Sequence, residues 1–191
     1  MLELMYMEVI GFFQDVKTPM TVVHVISVVF GMGGALMSDI LFSFFAKDKN
    51  LNRTELLTLT ILRSVVFYSL ILISLSGLAI FLSNIERYMD SAKFLAKMSI
   101  LFILILNGYL LNKYIWPHLI NRNFFTLKKE RNIRRLAFAC GAISVISWLA
   151  VCALGVLNSL PMSYSLIMLG YFGVVLVGIM ISLIIERKEF N

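Results

Sequence analysis

Five runs of this chain, at 20–46, 58–83, 94–116, 136–157 and 164–185, are apolar over lengths that few water-soluble folds can bury. A hydrocarbon core roughly 30 Å thick needs about 20 apolar residues in a helix, and all five runs reach that length. They show no sustained alternation of apolar and polar residues, which argues against strands. A helix also satisfies its own backbone hydrogen bonds where no water is present to do so. The prediction is therefore an all-α polytopic transmembrane helix bundle of about five spans. Composition agrees: of 191 residues, 60% are hydrophobic and 15% charged, with a mean hydropathy of +0.89, well outside the balance of a soluble domain. No repeat or low-complexity tract divides the chain, so 19–191 reads as one transmembrane domain behind an N-terminal segment at 1–18.

That segment places Leu2, Met5, Val9, Phe12, Phe13 and Val16 at helical spacing, with Glu3, Glu8 and Asp15 among them. It reads as a short amphipathic helix lying at the interface. A cleaved signal peptide is not expected, because a basic leading region is missing and acidic residues interrupt the apolar run. Thr18 and Pro19 offer an N-cap and a first-turn proline for the next helix.

The first span carries the most informative chemistry. The stretch HVISVVFGMGGALMSD, 24–39, keeps an imidazole near one end and a carboxylate near the other. A charged group at the middle of a membrane helix costs about 2.5–3.5 kcal/mol even on the lenient insertion scale, so such groups face a partner or a cavity. At about 100° per residue, Ser27, Gly31, Ala35, Ser38 and Asp39 all fall within about 60° of His24, interrupted only by Val28. Ile26, Val29, Phe30, Leu36, Met37 and Ile40 occupy the opposite, lipid-suited face. Gly31 and Ala35, and Gly34 and Ser38, are small residues four apart that permit close helix approach. This helix is expected at the centre of the bundle, polar side inward.

Loop charges give an orientation. Lys47, Lys49, Arg53, Lys113, Arg122, Lys128, Lys129, Arg131, Arg134, Arg135, Arg187 and Lys188 fall on one side of the spans; Lys17, Arg87, Lys93 and Lys97 fall on the other. By the positive-inside rule the N-terminus is outside and the C-terminus cytoplasmic, in a multi-pass protein of the inner (plasma) membrane. The net charge of +6 thus follows membrane orientation and does not indicate nucleic acid. The basic run 128–135 is a topology determinant or a contact for anionic headgroups.

Orientation fixes depth, and depth pairs residues. His24 and Lys97 share a level near the outer surface and could line a shallow pocket as cofactor-binding residues. Lys97 could equally snorkel to the headgroups, and His24 could be a packing hydrogen-bond donor. Met20, Met98 and Met162 at the same level are soft thioethers able to join His24 around copper(I), although methionine is also an ordinary membrane-core residue. Asp39 and Arg63 share the inner half and are expected to form an intramembrane ion pair, either as a helix lock or on a proton or ion path. His118 lies 21 residues, about 31 Å, beyond Lys97, so one haem cannot be held by both histidines of one chain. Cys140 and Cys152 lie about 18 Å apart on one helix, too far for a disulfide between them. Trp148, with Gly141, Ser144 and Gly155 nearby, suits either a planar cofactor or tight packing. GxSxG, HExxH and GxxxxGK[ST] are missing, which disfavours a soluble-type hydrolase or NTPase.

The run from His24 to Gly34, a histidine followed by a Gly-Gly pair, resembles the first-helix pattern of CopD-type copper-resistance membrane proteins. The resemblance continues with Arg63, Ser76-Gly77, the stretch from Ser91 to Lys97, and Asn112-Lys113 before Pro117, covering roughly residues 20–120. It implies a four-helix core and the binding or passage of copper, with His24 the best ligand. A weaker similarity to HemJ-type proteins of haem biosynthesis implies haem b on His24 and a functional Lys97. Leu95 stands where the HemJ-type pattern has a second histidine, which counts against carrying oxidase chemistry over. Three functions follow: a copper- or haem-handling membrane protein, a non-enzymatic structural subunit completed by the bilayer and a second copy or partner membrane chain, and a small proton or ion transporter using Asp39 and Arg63.

Overall fold

The computed structural model describes residues 2–46, 51–120, 130–157 and 161–190, and among them there is no strand. Lys47, Lys49, Arg122, Lys128 and Lys129 lie outside the described residues. Helix α1 (Leu2–Asp15) leads through Val16 into α2 (Lys17–Phe45), and α3 (Arg53–Leu82) returns beside it. A short α4 (Ile85–Met89) redirects the chain into α5 (Ala92–Leu110), which continues through a π-helical turn (Leu111–Ile115) into α6 (Trp116–Leu119). Helices α7 (Arg131–Val156) and α8 (Tyr164–Phe190) complete the order. The five predicted spans are all present as helices long and apolar enough to cross a membrane.

Several helices outrun their apolar stretches because polar side chains cap or anchor the extra turns. Helix α3 starts at Arg53, before the expected 58, on a reciprocal cap: Asn52 Oδ1 accepts from Glu55 N–H at 2.9 Å and Glu55 Oε2 from Asn52 N–H at 2.8 Å. Thr18 does not cap α2. Val16 takes that position without a side-chain bond, because helical bonding runs almost unbroken out of α1: Met20 N–H reaches Val16 C=O at 3.0 Å. Pro19 falls in the first turn, where a missing N–H costs nothing. Pro117 also lacks the N–H that would bond Lys113 C=O. The chain absorbs this defect as a π-helical turn, with Trp116 N–H bonded to Leu111 C=O five residues back.

Alternating direction stacks three apolar layers through the bundle. Ala46, Leu59, Ile115, Leu119, Ala137 and Cys140 form the layer at the basic end. Ala35, Ile73, Leu104 and Trp148 form the middle, and Ala96, Ile100, Leu154, Met168, Tyr171 and Val175 the layer toward the other end. The expected centre of the bundle is displaced by one helix: α7, packed against α2, α5 and α8, is the hub, while α2 packs chiefly on α3.

The two faces of α2 are as the sequence predicts. Ser27, Gly31, Gly34 and Ala35 are buried, whereas Phe30 at 61% and Ile40 at 65% exposure point outward, where lipid is the natural solvent. The Gly31 site explains Trp148. A Cβ there would stand 2.5 Å from Trp148 Cη2 and 3.1 Å from Ser69 Cβ, so the indole, only 2% exposed, fills the space a side chain would need. Tight packing accounts for this tryptophan without a planar cofactor. Gly31→Val should therefore destabilise the protein by about 1–3 kcal/mol, the usual cost of overpacking, seen as a lower Tm in detergent. Gly33→Ala, where a Cβ meets nothing within 4 Å, should leave Tm no lower than wild type, since alanine is the better helix former.

Candidate functional site

His24 sits on the inner stripe of α2 and faces α3, its Nδ1 3.0 Å from Ser76 Oγ. Gly77 makes room for the ring, since a Cβ there would meet His24 Cε1 at 3.4 Å. The hydrogen-bond network fixes which nitrogen carries the proton. Ser76 Oγ stands 2.5 Å from Leu72 C=O and 3.3 Å from Ile73 C=O, and carbonyls only accept. The single hydroxyl proton must lie toward one of them, because two oxygens at 2.5 Å with no proton between them repel. Ser76 Oγ therefore accepts from His24 Nδ1–H, and Nε2 is the lone-pair nitrogen. An imidazole whose Nδ1–H is held by a neighbouring oxygen is oriented for ligation through Nε2.

Lys97 comes to the same end of the bundle from α5, half-buried. Its Nζ lies 3.9 Å from where a Gly155 Cβ would be. Cys152 sits one turn before Gly155, so the packing of α5 on α7 brings it to the level of Lys97. Sequence reasoning pairs His24 with Lys97 by depth but leaves Cys152 aside, because only that packing brings it in. Lys93, one turn earlier, donates to Leu157 C=O and ties α5 to the end of α7.

The methionines expected at this level differ in exposure. Met98 is 48% exposed, since Ala96 and Ile100 take the inward face of α5 and turn the next position toward lipid. Met162 is 39% exposed in the segment before α8, and Met20 is half-buried in the first turn of α2. Among the described residues, no three His, Cys, Asp or Glu side chains cluster in a way that could hold a metal ion.

The ion pair expected between Asp39 and Arg63 is not formed. Leu62, Val65 and Val66 are the α3 residues that meet Gly34 of α2. Arg63, just off that face, instead lays its guanidinium over the Trp116 ring, 4.5 Å from the centroid. Asp39 turns to α7, its Oδ1 3.3 Å from where a Gly141 Cβ would be, and its Oδ2 is buried without a hydrogen bond. Close by, Asn107 of α5 donates from Nδ2 to Cys140 C=O at 3.0 Å, which leaves its Oδ1 buried and unpartnered as well.

The charges that do pair belong to the basic end. Glu186 of α8, 1% exposed, accepts from Arg134 Nε at 2.9 Å and Arg135 Nε at 3.4 Å. His118 Nδ1 lies 2.8 Å from Glu130 Oε2, which commits the second histidine to the loop end of α7. Ser147 and Tyr171 hydroxyls meet at 2.7 Å, and Ser182 Oγ donates to Phe138 C=O at 2.6 Å. These contacts fasten α8 to α7.

The fold and its polar groups define a polytopic all-α membrane protein with a histidine site toward its less basic end. Comparison with protein-family models, with curated proteins and with solved structures finds no match. The histidine geometry makes a direct prediction. In nitrogen NMR of histidine-labelled protein, His24 should show the Nδ1–H tautomer, identified against a His118→Gln sample. Ser76→Ala should give a mixture of tautomers; a single Nε2–H form in the wild type would contradict the assignment.

Proposed function

We propose that this chain is a metal-handling membrane protein of the CopD-like type, which binds or passes copper, or binds a b-type haem, through His24 Nε2. The observation that carries the reading is the Ser76 oxygen on His24 Nδ1, which leaves Nε2 with an available lone pair. The donors at this end fit copper(I) best: imidazole nitrogen and thiol sulfur are borderline and soft ligands, and Cys152 stands one turn before Gly155, beside which Lys97 Nζ lies. For haem, His24 would hold the iron together with Lys97 or a second protomer, because His118 is engaged at the opposite end. Bound copper would supply one-electron or carrier chemistry; the protein's part is to orient the imidazole and hold Lys97's charge beside it.

The alternative reading, a non-enzymatic structural or partner-binding subunit, draws on Arg134, Arg135 and Glu186. That cluster holds α7 and α8 together.

We further propose an inner-membrane setting with the N-terminus outside and the C-terminus cytoplasmic. Support comes from the described cations: Arg53, Lys113, Arg131, Arg134, Arg135, Arg187 and Lys188 are at one end, against Lys17, Arg87, Lys93 and Lys97 at the other. With Cys140 and Cys152 replaced by serine, a Lys188→Cys side chain should be shielded from an impermeant maleimide in intact cells and an Arg87→Cys side chain labelled. The opposite pattern would invert the topology.

The functional test is an absorption spectrum with parallel metal analysis of detergent-purified protein, before and after supply of copper(I) or haem. Stoichiometric copper, lost in His24→Ala and weakened in Cys152→Ser, or a Soret band lost in His24→Ala, is the expected result. A wild-type protein that takes up neither would overturn the reading in favour of the structural one.

A further inference from the structure

Below the Trp148 layer the bundle holds a second polar group, unconnected to His24. Asp39 descends from α2, one turn past Ala35; Asn107 comes from α5, just past Leu104; both meet α7 at the turn carrying Cys140 and Gly141. The layer above is Ala35, Leu104 and Trp148. The layer below contains Ala46, Ile115 and Ala137, with Phe42 and Leu111 packed on it. Asp39 Oδ2 and Asn107 Oδ1 are therefore two buried acceptor oxygens without a hydrogen-bond partner, set between apolar layers. Burying such groups without a partner is costly, and a carboxylate more so than an amide.

The Asn107 amide cannot turn over to relieve this. Its Nδ2 is the only part able to donate to the Cys140 carbonyl, and a flip would set oxygen against oxygen. Its Oδ1 is thus held as an acceptor at 4% residue exposure. Glycine at 141 gives the carboxylate room: a Cβ there would press on Asp39 Oδ1 at 3.3 Å. The one nearby cation that sequence depth offered, Arg63, is stacked on Trp116. The other buried acids, Glu130 and Glu186, face His118 and the two arginines at the basic end.

We propose that Asp39 and Asn107 form a binding site for one small monovalent cation of the sodium class, separate from the His24 site. The chemistry selects the ligand. Carboxylate and amide oxygens are hard donors, which suit alkali or alkaline-earth ions and not copper. A single carboxylate is neutralised by a single positive charge, whereas a divalent ion would leave net charge in a low-dielectric interior. The Ser144 hydroxyl, one turn along α7 from Cys140 and itself buried, is a further oxygen on the same helix.

The test uses the full-length protein in detergent, melted in sodium, lithium, potassium or N-methylglucamine chloride at equal ionic strength. The expected result is a saturable rise in Tm of several degrees, on the order of 4 °C, with sodium or lithium over N-methylglucamine, as binding to the native state requires. Asp39→Asn and Asn107→Leu should lose that rise. His24→Ala should keep it, which separates this site from the metal site. Asn107→Asp, carrying two carboxylates, should transfer the preference to calcium. A wild-type Tm that is the same in all four salts, or a sodium response that survives both Asp39→Asn and Asn107→Leu, would overturn the proposal. If Asp39→Asn does not fold, radiolabelled sodium binding to wild type and the calcium preference of Asn107→Asp decide it: both present support the site, and failure of either overturns it.

Discussion

The bilayer offers its proteins no hydrogen bonds, and nearly every polar feature of this molecule is a response to that deficit. Serines and threonines along the spans return their hydroxyl protons to the carbonyl one turn back, as Ser27 does to Val23, Thr60 to Leu56 and Ser74 to Leu70. Where a side chain cannot close on its own helix, a neighbour closes it: Asn107 on Cys140, Ser147 on Tyr171, Ser182 on Phe138. Against this background of satisfaction, the atoms left with lone pairs stand out. His24 Nε2, Asp39 Oδ2 and Asn107 Oδ1 are where ligands are to be sought.

Trp148 divides these groups into two sites. Seated against Gly31 and beside Ala35 and Leu104, it closes the middle of the bundle between the His24 level and the Asp39 level. A continuous polar path from His24 to Asp39 would have to pass the indole. The two groups therefore lie at different levels, His24 on one side of the indole and Asp39 on the other.

Much of the fold was legible in the sequence because its determinants are local. Helical periodicity alone sorts Gly31 and Ala35 inward from Phe30 and Ile40 outward, and the length of each apolar run gives the spans. Helix starts were placed late where hydropathy was the guide, since Asn52 and Glu55 form a cap that an apolar count ignores. The sites were less legible, because they depend on side-chain direction and distant partners. Depth groups His24 with Lys97, yet depth says nothing of azimuth: Met98 shares their level and is exposed, and Arg63 shares a level with Asp39 and turns to Trp116. The contacts Ser76 makes with His24 and Arg134 with Glu186 each span 52 residues, beyond the reach of any local pattern.

The pairing of Glu186 with two arginines also bears on how the chain enters the bilayer. The ribosome makes Arg134 and Arg135 first and Glu186 only after another whole span has followed. A lone acid delivered to the edge of the hydrocarbon would resist insertion, at a cost of a few kcal/mol, but here its counterions already wait at the basic end when α8 emerges. Helices α7 and α8 are thus suited to leave the translocation machinery as a hairpin, with the last span drawn into register by charge before its apolar surface, exposed along most of its length, settles into lipid.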